Sequence, residues 1–600
     1  MLYPKLNEAR ALIDLSGIWN FKLDDGSGFG DHWERAQLTD PMTIAVPGSY
    51  NDQKEGIDFR DHYGWVFYQR TIEVPQMLLE QRVLLRFGAV THFAKVYLNG
   101  EVVCEHKGGF LPFEEEIKQF LRPGKNLLTV AVDNTVNMST LPVGSESGGN
   151  MVGGGLLPEI PGVKARKQNA PNFDFFNYAG ITRPVKIYTT PESYIADVSL
   201  VPSVEGSAAR VAYEVAVVGA GEVTLTVRNE NGEVVATASG AKGEFMIDNV
   251  HLWQPMKAYL YSAEVAFGTD RYEQSFGVRS IEVRGTQFLI NGAPFYFKGF
   301  GKHEDSYFHG RGLDEVLNVK DLALLCWLGA NSFRTSHYPY SEEMMDLCDR
   351  EGIVVIDETP AVGVHANFGA MATGTPRDTF KVLNVREHHE EVIRDMIARD
   401  KNHPCVVMWS LANESDTTTF PDSSVEYYGA LYDLAKACDP AKRPTTIVGV
   451  QNEYRKDKTL PMMDVICLNR YYGWYIYGGD LEAAKQALQM EMDYWQSIGK
   501  PVMLTEYGAD TVSGLHLATP TMFCEEYQVD FYKMVHDVVD GCPFFVGEQL
   551  WNFADFATIQ GTMRVDGNKK GIFTRDRRPK MAAHYLRERW LSIPDFGYKA

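Results

Sequence analysis

Positive charge is scarce in this chain. It has 58 lysines and arginines against 79 aspartates and glutamates, a formal net charge of −21. Such a field repels nucleic acid and anionic membranes, and no basic run interrupts it. A small anionic substrate stays compatible with it only if cations are placed locally. Paired cysteines are missing too. Cys104, Cys326, Cys348, Cys405, Cys438, Cys467, Cys524 and Cys542 are scattered, with no CxxC among them. Several lie in apolar segments, which predicts reduced core thiols in a cytoplasmic protein and argues against a disulfide frame or zinc site. Nor is there a long apolar run. The segment MLYPKLNEARALIDLSGIW has no basic region leading into an uninterrupted apolar stretch, so neither a secretory signal nor a membrane span is expected.

What is present is an ordinary globular composition, 44% hydrophobic and 23% charged. Its 600 residues are too many for one core. Residues 1–185 read as β structure in short strands, such as WVFYQRTIEV, VLLRF and NLLTVAVDN. Leu128, Val130 and Val132 alternate with Thr129, Ala131 and Asp133, the period of a half-buried strand. Asn99-Gly100 sits between two such runs and predicts a tight hairpin. The expectation is a jelly-roll sandwich of the sugar-binding kind. From Leu141 to about Gln168 the pattern gives way to Gly, Pro, Ser and Met, a long loop.

Residues 186–281 form a second β segment. Val223, Leu225 and Val227 alternate with Thr224, Thr226 and Arg228 before a turn at Asn231-Gly232, which fits an immunoglobulin-like sandwich. From residue 282 to 600 strand-like runs alternate with helical stretches. The runs FYFKGFG, ANSFRTS, IVVIDET, VVMWSLANE, TTIVGV, DVICLNRYY, PVMLTEYG and FVGEQLWNF number eight, as a (β/α)8 TIM barrel requires.

Such a barrel carries its active site at the C-terminal strand ends. The polar residues there are His303, Glu304 and Asp305; Arg334 and His337; Asp357 and Glu358; Asn413 and Glu414; Asn469 and Tyr471; Glu506; and Trp551. Barrel ends also carry polar residues that are only structural. Glu414 and Glu506 stand out, because two carboxyls on different strands are what glycosidic-bond hydrolysis requires.

The blocks FFNYAGITRPV, GFGKHED, RTSHYPY, VVIDET, ARDKNHP, WSLANES, LNRYYGWY, TEYGAD, WNFADF and GNKKGIFTRD, in this order, cover essentially the whole chain. Together they resemble the family-2 glycoside hydrolases, and within them the bacterial β-glucuronidases. The resemblance implies a retaining exo-β-D-glucuronidase acting on small-molecule β-D-glucuronides, with Glu506 as nucleophile and Glu414 as general acid/base. Double displacement needs the two carboxyls about 5–5.5 Å apart, Glu414 initially protonated and Glu506 ionised. Asn413 is similar to the family asparagine that bonds the sugar 2-OH, and His337 and Asn469 are placed near the sugar. Tyr507, next in sequence to Glu506, is expected beside the nucleophile. The family is not known for a catalytic metal and no separate metal cluster is visible, so neither metal nor cofactor is expected. Dimers or tetramers are common in it.

Glucuronide choice falls to other residues. The motif GNKKG supplies Asn568 and Lys570, an amide and an ammonium suited to a sugar carboxylate. Alone, this motif also describes a solvated turn. Its place shortly after strand eight, and the local cation a −21 chain needs, favour the site. Arg564 is a second contact for the carboxylate. Asp174, amid Phe173, Phe175, Phe176 and Tyr178, reads either as a turn cap or as an acceptor for sugar hydroxyls, and the resemblance implies the latter. Tyr471, Tyr475 and Trp551 offer ring faces to a pyranose. REHHEE at 386–391 reads as a solvated helix face, and HEDSYFH lacks zincin spacing. The stretch VHANFGAMATGTPRDTFKV, shorter than the enterobacterial pattern, places Phe368 and Met371 at the mouth, where they face either an aglycone or another subunit. Two rivals remain: another family-2 exo-glycosidase, such as a β-galacturonidase or β-galactosidase, and a non-catalytic carbohydrate-binding protein.

Overall fold

The computed structural model describes residues 1–145, 162–164, 166–368 and 374–599. Much of the loop expected between Leu141 and Gln168, and Met371, lie outside the described residues.

The N-terminal sandwich packs a six-stranded sheet on a four-stranded one. Its central strand Lys125–Asp133 is paired on both sides, by Trp65–Glu73 and Phe93–Leu98. Leu128, Val130 and Val132 enter the core as their alternation predicts. Thr129 and Ala131 are buried as well, so the strand is not half-exposed. The reason is a cover over the outer face: Leu38 and Trp33 pack on Ala131, and Gln69 donates to Thr129 Oγ1 and to the Trp33 carbonyl. The Asn99-Gly100 turn has φ of 55° and 84°, the primed geometry that suits a two-residue hairpin, and sets Leu98 opposite Glu101. Strand Val185–Thr190 lies between Leu12–Asp14 and Arg82–Phe87. The first sandwich therefore runs past the boundary expected at residue 185. The immunoglobulin-like sandwich follows, with a three-stranded and a four-stranded sheet around Val223, Leu225 and Val227.

Eight parallel strands then close a barrel: Phe297–Gly301, Ser332–Arg334, Val354–Glu358, Val406–Asn413, Thr445–Gly449, Ile466–Asn469, Val502–Glu506 and Phe545–Leu550. Every residue of Val406–Asn413 is buried, as in strands covered on both faces. Helix boundaries follow cap chemistry. Helix Glu315–Leu328 starts where Asp314 accepts from the Leu317 N–H, and stops at Gly329 with φ 76°. Between strands five and six the regular alternation fails. Two 3-10 turns, Tyr454–Lys456 and Leu460–Met462, stand where a helix would be, with Pro461 in the second and the Asp457 carboxylate taking the N–H groups of Thr459 and Leu460. Helix Arg386–Asp400 is not solvated at its start: His388 and His389 are buried. The His389 ring bonds to Tyr427 Oη and the Leu411 carbonyl, facing strand four rather than water.

At the other end of the barrel, His403 Nδ1 meets Asp349 Oδ2 at 2.6 Å, and Trp253 of the second sandwich donates to the Asp349 carbonyl. Together with Cys405 these two form the one group of potential metal donors among the described residues, and it lies outside the cavity described below. Burial lowers the His403 pKa, but the Asp349 carboxylate outweighs it and raises the ring to about 9. A raised folded-state pKa means that the imidazolium stabilises the fold in full below the unfolded value of about 6.5. That stability is lost as pH climbs through about 9, and is on the order of 3 kcal/mol. Thermal unfolding of wild type and His403→Gln between about pH 6 and pH 10 should therefore show a gap that closes as pH rises. A pH-independent gap would mean the pair does not titrate in this range.

Candidate active site

A cavity of about 390 Å³ opens at the C-terminal end of the barrel. Ten of the twelve residues expected at the site line it: Asp174, His337, Asn413, Glu414, Tyr471, Tyr475, Glu506, Trp551, Arg564 and Asn568. Asn469 and Lys570 are buried one layer back, each bonded to residues that line it.

Glu506 closes strand seven and is held by two donors. Arg334 Nη2 donates to Oε1 at 2.5 Å, and Tyr471 Oη to Oε2 at 2.7 Å. Arg334 is fully buried and also grips both oxygens of Glu358, at 2.6 and 2.7 Å. Burial pushes the Glu358 pKa up, but Arg334, His337 and Ser410 outweigh it and hold the carboxyl below its usual range. His337 Nδ1 lies 2.9 Å from Glu358 Oε1 and Nε2 lies 3.6 Å from Glu506. Burial drives the His337 pKa down to about 4, so the ring is neutral. The carboxylate fixes the proton on Nδ1, and the ring stacks on Trp551 at 4.9 Å. Arg334 and Glu358 were visible at strand ends in the sequence, yet nothing there distinguished them from structural polar residues. The blocks RTSHYPY and VVIDET held the signal. Phe175 and Asp510 likewise stood in the blocks FFNYAGITRPV and TEYGAD, whereas Gln451, Val450, Ile476 and Met563 had no such signal and emerge only from the fold.

Glu414 follows strand four with φ 55°, a left-handed conformation that costs a β-unbranched residue about 1 kcal/mol or more. The conformation turns its carboxyl into the cavity while its N–H stays on the Val448 carbonyl. Asn469 Nδ2 donates to Glu414 Oε1 at 2.9 Å and to Asn413 Oδ1 at 3.1 Å. Thr505, beside Glu506, in turn donates to Asn469 Oδ1 at 3.0 Å, so one amide ties strands four, six and seven together. With its oxygen taken, Asn413 offers the cavity its N–H groups.

Burial raises both carboxyls, Glu414 above its ordinary range and Glu506 to about 8. At Glu506, Arg334 opposes burial and the charge on Glu414 adds to it. Protonating Glu414 removes that repulsion. The two carboxyls differ in their partners: Glu414 has a neutral amide, whereas Glu506 has a guanidinium and a phenol.

Another part of the lining is ionic. Arg564 is the cation that lines the cavity among the described residues. Its Nε lies 3.1 and 3.0 Å from the two Asp174 oxygens, and its Nη1 3.3 Å from Asp510. Asn568 Nδ2 donates to Asp174 at 3.1 Å. Asp174 is thus neither a simple turn cap nor free: it is paired into this wall. Lys570 stands behind Tyr475, its ammonium shared between Asp510 and the Tyr475 hydroxyl at 2.9 Å. The turn is not solvated, since Asn568 and Lys570 are each 1% exposed. Tyr507 departs from expectation. Its hydroxyl points outward to His536 Nε2 at 3.0 Å, and Tyr471 supports Glu506 instead. His303 lies outside the cavity wall, enclosed by Phe175, Trp551 and Phe556, and Asp305 is committed to Arg575.

The sequence profile of the glycosyl hydrolases family 2 TIM barrel domain matches residues 281–594, that of the family-2 sugar binding domain residues 12–191, and a further family-2 profile residues 193–279. The chain belongs to glycoside hydrolase family 2. Among its relatives, the β-glucuronidase of Paenibacillus borealis is 45% identical over the full length of both chains. The solved β-glucuronidase of Faecalibacterium prausnitzii is 54% identical, with a TM-score of 0.95 over 99% of this chain and 100% of that one. That of Bifidobacterium dentium, complexed with coumarin-3-O-glucuronide, is 51% identical with a TM-score of 0.94 over 100% of both. This family-2 fold has no helix among its described residues long and apolar enough to cross a membrane.

The Asn469 amide favours the charged form of Glu414, so removing it should raise the Glu414 pKa. Asn469→Ala is therefore expected to move the alkaline limb of kcat/KM to higher pH. A downward shift in the pH–rate profile would contradict this reading of the pair.

Proposed function

We propose that the chain is a retaining exo-β-D-glucuronidase that releases D-glucuronic acid from β-D-glucuronide conjugates. The observation that carries this reading is a single cavity lined by two carboxyls, Glu414 and Glu506, together with Arg564. Full-length likeness to β-glucuronidases supports it.

Glu506, held as a carboxylate by Arg334 and Tyr471, attacks the anomeric carbon. Glu414 passes its proton to the glycosidic oxygen and the aglycone leaves as an alcohol. The glycosyl group is then an ester of Glu506. Glu414, now a carboxylate, takes a proton from water, the water oxygen attacks the anomeric carbon, and Glu506 leaves. Asn413 and neutral His337 bond sugar hydroxyls, and Trp551 gives the pyranose a ring face. Arg564 and Asn568 receive the sugar carboxylate with Lys570 behind them, and Asp174 accepts from hydroxyls beside it. The cluster of Arg564, Lys570, Asp174 and Asp510 is neutral as a whole, so it recognises an anion through directed donors rather than net charge. Phe368, Val450, Ile476 and Met563 make the outer cavity apolar, which suits an apolar aglycone. The reading includes the cytoplasmic dimer or tetramer expected from the sequence, which light scattering on the purified protein would test.

With aryl β-glycosides, wild type should turn over the glucuronide well ahead of the galactoside, galacturonide and glucoside. Clear galactoside turnover with an inert glucuronide would overturn the proposal. Glu506→Ala should lose about four orders of magnitude or more in kcat, whereas a carbohydrate-binding protein with contaminating activity would show no change. Lys570→Ala should cost roughly ten- to a hundredfold more on the glucuronide than on the matching glucoside. Equal losses would mean that Lys570 takes no part in carboxylate recognition.

A further inference from the structure

Asp174 is not a barrel residue. It reaches the cavity on a segment of the first sandwich, and that segment is gripped by several barrel loops. Asn172 Nδ2 donates to the Gly363 carbonyl at 2.8 Å, after strand three, and the Phe176 N–H donates to Ala557 at 2.8 Å, after strand eight. The third grip comes from the loop after strand one. There the two domains meet backbone to backbone. The Ser49 N–H donates to the His309 carbonyl, and the Arg311 N–H to Ser49 Oγ. Gly310 has φ 57°, and a Cβ on it would come within 2.6 Å of the Tyr178 ring; one on Gly312 would come within 2.4 Å of Gly48 Cα. Only glycines allow so close an approach.

Arg311 lies at the centre of this contact, 4% exposed. No carboxylate of a described residue pairs with it, and its Nε and Nη1 find no acceptor. A buried guanidinium without a counter-ion is costly, and mere packing would be served as well by an apolar side chain. What surrounds it instead are three ring faces, with centroids 4.4 Å away at Tyr338, 5.1 Å at Phe175 and 5.2 Å at Phe110. Its Nη2 donates to the Phe176 carbonyl at 3.1 Å. Its two holds on the segment, the Phe175 ring and the Phe176 carbonyl, are therefore the residues directly after Asp174, and Phe175 itself lines the cavity.

We infer that Arg311 is a positioning residue for substrate recognition. It fixes Phe175 and the Phe176 carbonyl, and through them sets where the Asp174 carboxylate stands against Arg564, Asn568 and the sugar. The inference rests on the glucuronidase reading above. Because Asp174 acts in binding, Arg311 should show in KM and leave kcat nearly alone.

A double-mutant cycle on an aryl β-glucuronide tests it, with melting temperatures measured for every variant. Arg311→Met should raise KM about tenfold or more, with kcat within about threefold of wild type. Arg311→Lys, which keeps a cation for the rings and one donor for the carbonyl, should stay within about threefold of the wild-type KM. In an Asp174→Asn background, Arg311→Met should add less than about twofold, because the group it positions has gone. If the two KM effects multiply, or if Lys fares no better than Met, the inference fails while the glucuronidase reading stands. An inert wild type would instead sink the reading on which both depend. Should Arg311→Met fail to fold, the cycle is run with Arg311→Lys, whose smaller KM rise must vanish in the Asp174→Asn background and overturns the inference if it persists.

Discussion

The guanidinium of Arg334 holds the floor of the cavity together. It is fully buried on strand two, and it spans the barrel interior to bind Glu358 on strand three and Glu506 on strand seven. Burying three charges is expensive, and removing one partner would strand the others in a dry interior. Arg334 favours the anionic form of Glu506 against the burial that raises its pKa. The Glu358 carboxylate also takes the His337 Nδ1 proton and the Ser410 hydroxyl, so the orientation of the histidine depends on the same cation.

From that floor the site is built in two halves of different character. The carboxyl half is set by strand geometry: Glu506 closes a strand, Glu414 is itself a left-handed residue that turns inward, and Asn469 bonds Glu414 and Thr505, the residue before Glu506. The ionic half is set by loops and by a second domain. Asp174 and Arg564 are 390 residues apart in sequence and meet only because the first sandwich docks on the barrel rim. In the proposed reading, rigid strands carry the reacting groups, where small displacements cost most, while loops carry the groups that choose the sugar. The apolar lining adds a third surface whose residues come from four separate barrel loops.

Much of this was legible in the chain. All eight barrel strands announced themselves as strand-like runs, because strands buried on both faces have no polar face to show. The Asn99-Gly100 hairpin was equally plain, since a turn with both φ positive restricts residue choice sharply. Local pattern misled where a partner lay far away in sequence. The central strand of the first sandwich alternates as if half-exposed, but a distant segment covers its outer face. REHHEE looks solvated because charge is all a local reading sees, whereas His388 and His389 point at neighbouring elements. Tyr507 adjoins the nucleophile in sequence, yet consecutive side chains leaving a strand face opposite ways, so its hydroxyl points outward to His536.

By itself the sequence determined the three-domain order and the barrel, and it marked Glu414 and Glu506 as candidates at strand ends, because each of these leaves a trace in residue type and period. It also supplied Asn568, Lys570, Arg564 and Asp174 as candidates for anion and sugar recognition. Only the tertiary structure decided how those four relate. It placed Arg564 on the cavity wall, set Lys570 behind Tyr475 on Asp510, and paired Asp174 with both Arg564 and Asn568. The physical reason is that an ion pair is settled by distance and burial, and neither can be read from a chain until its domains are packed.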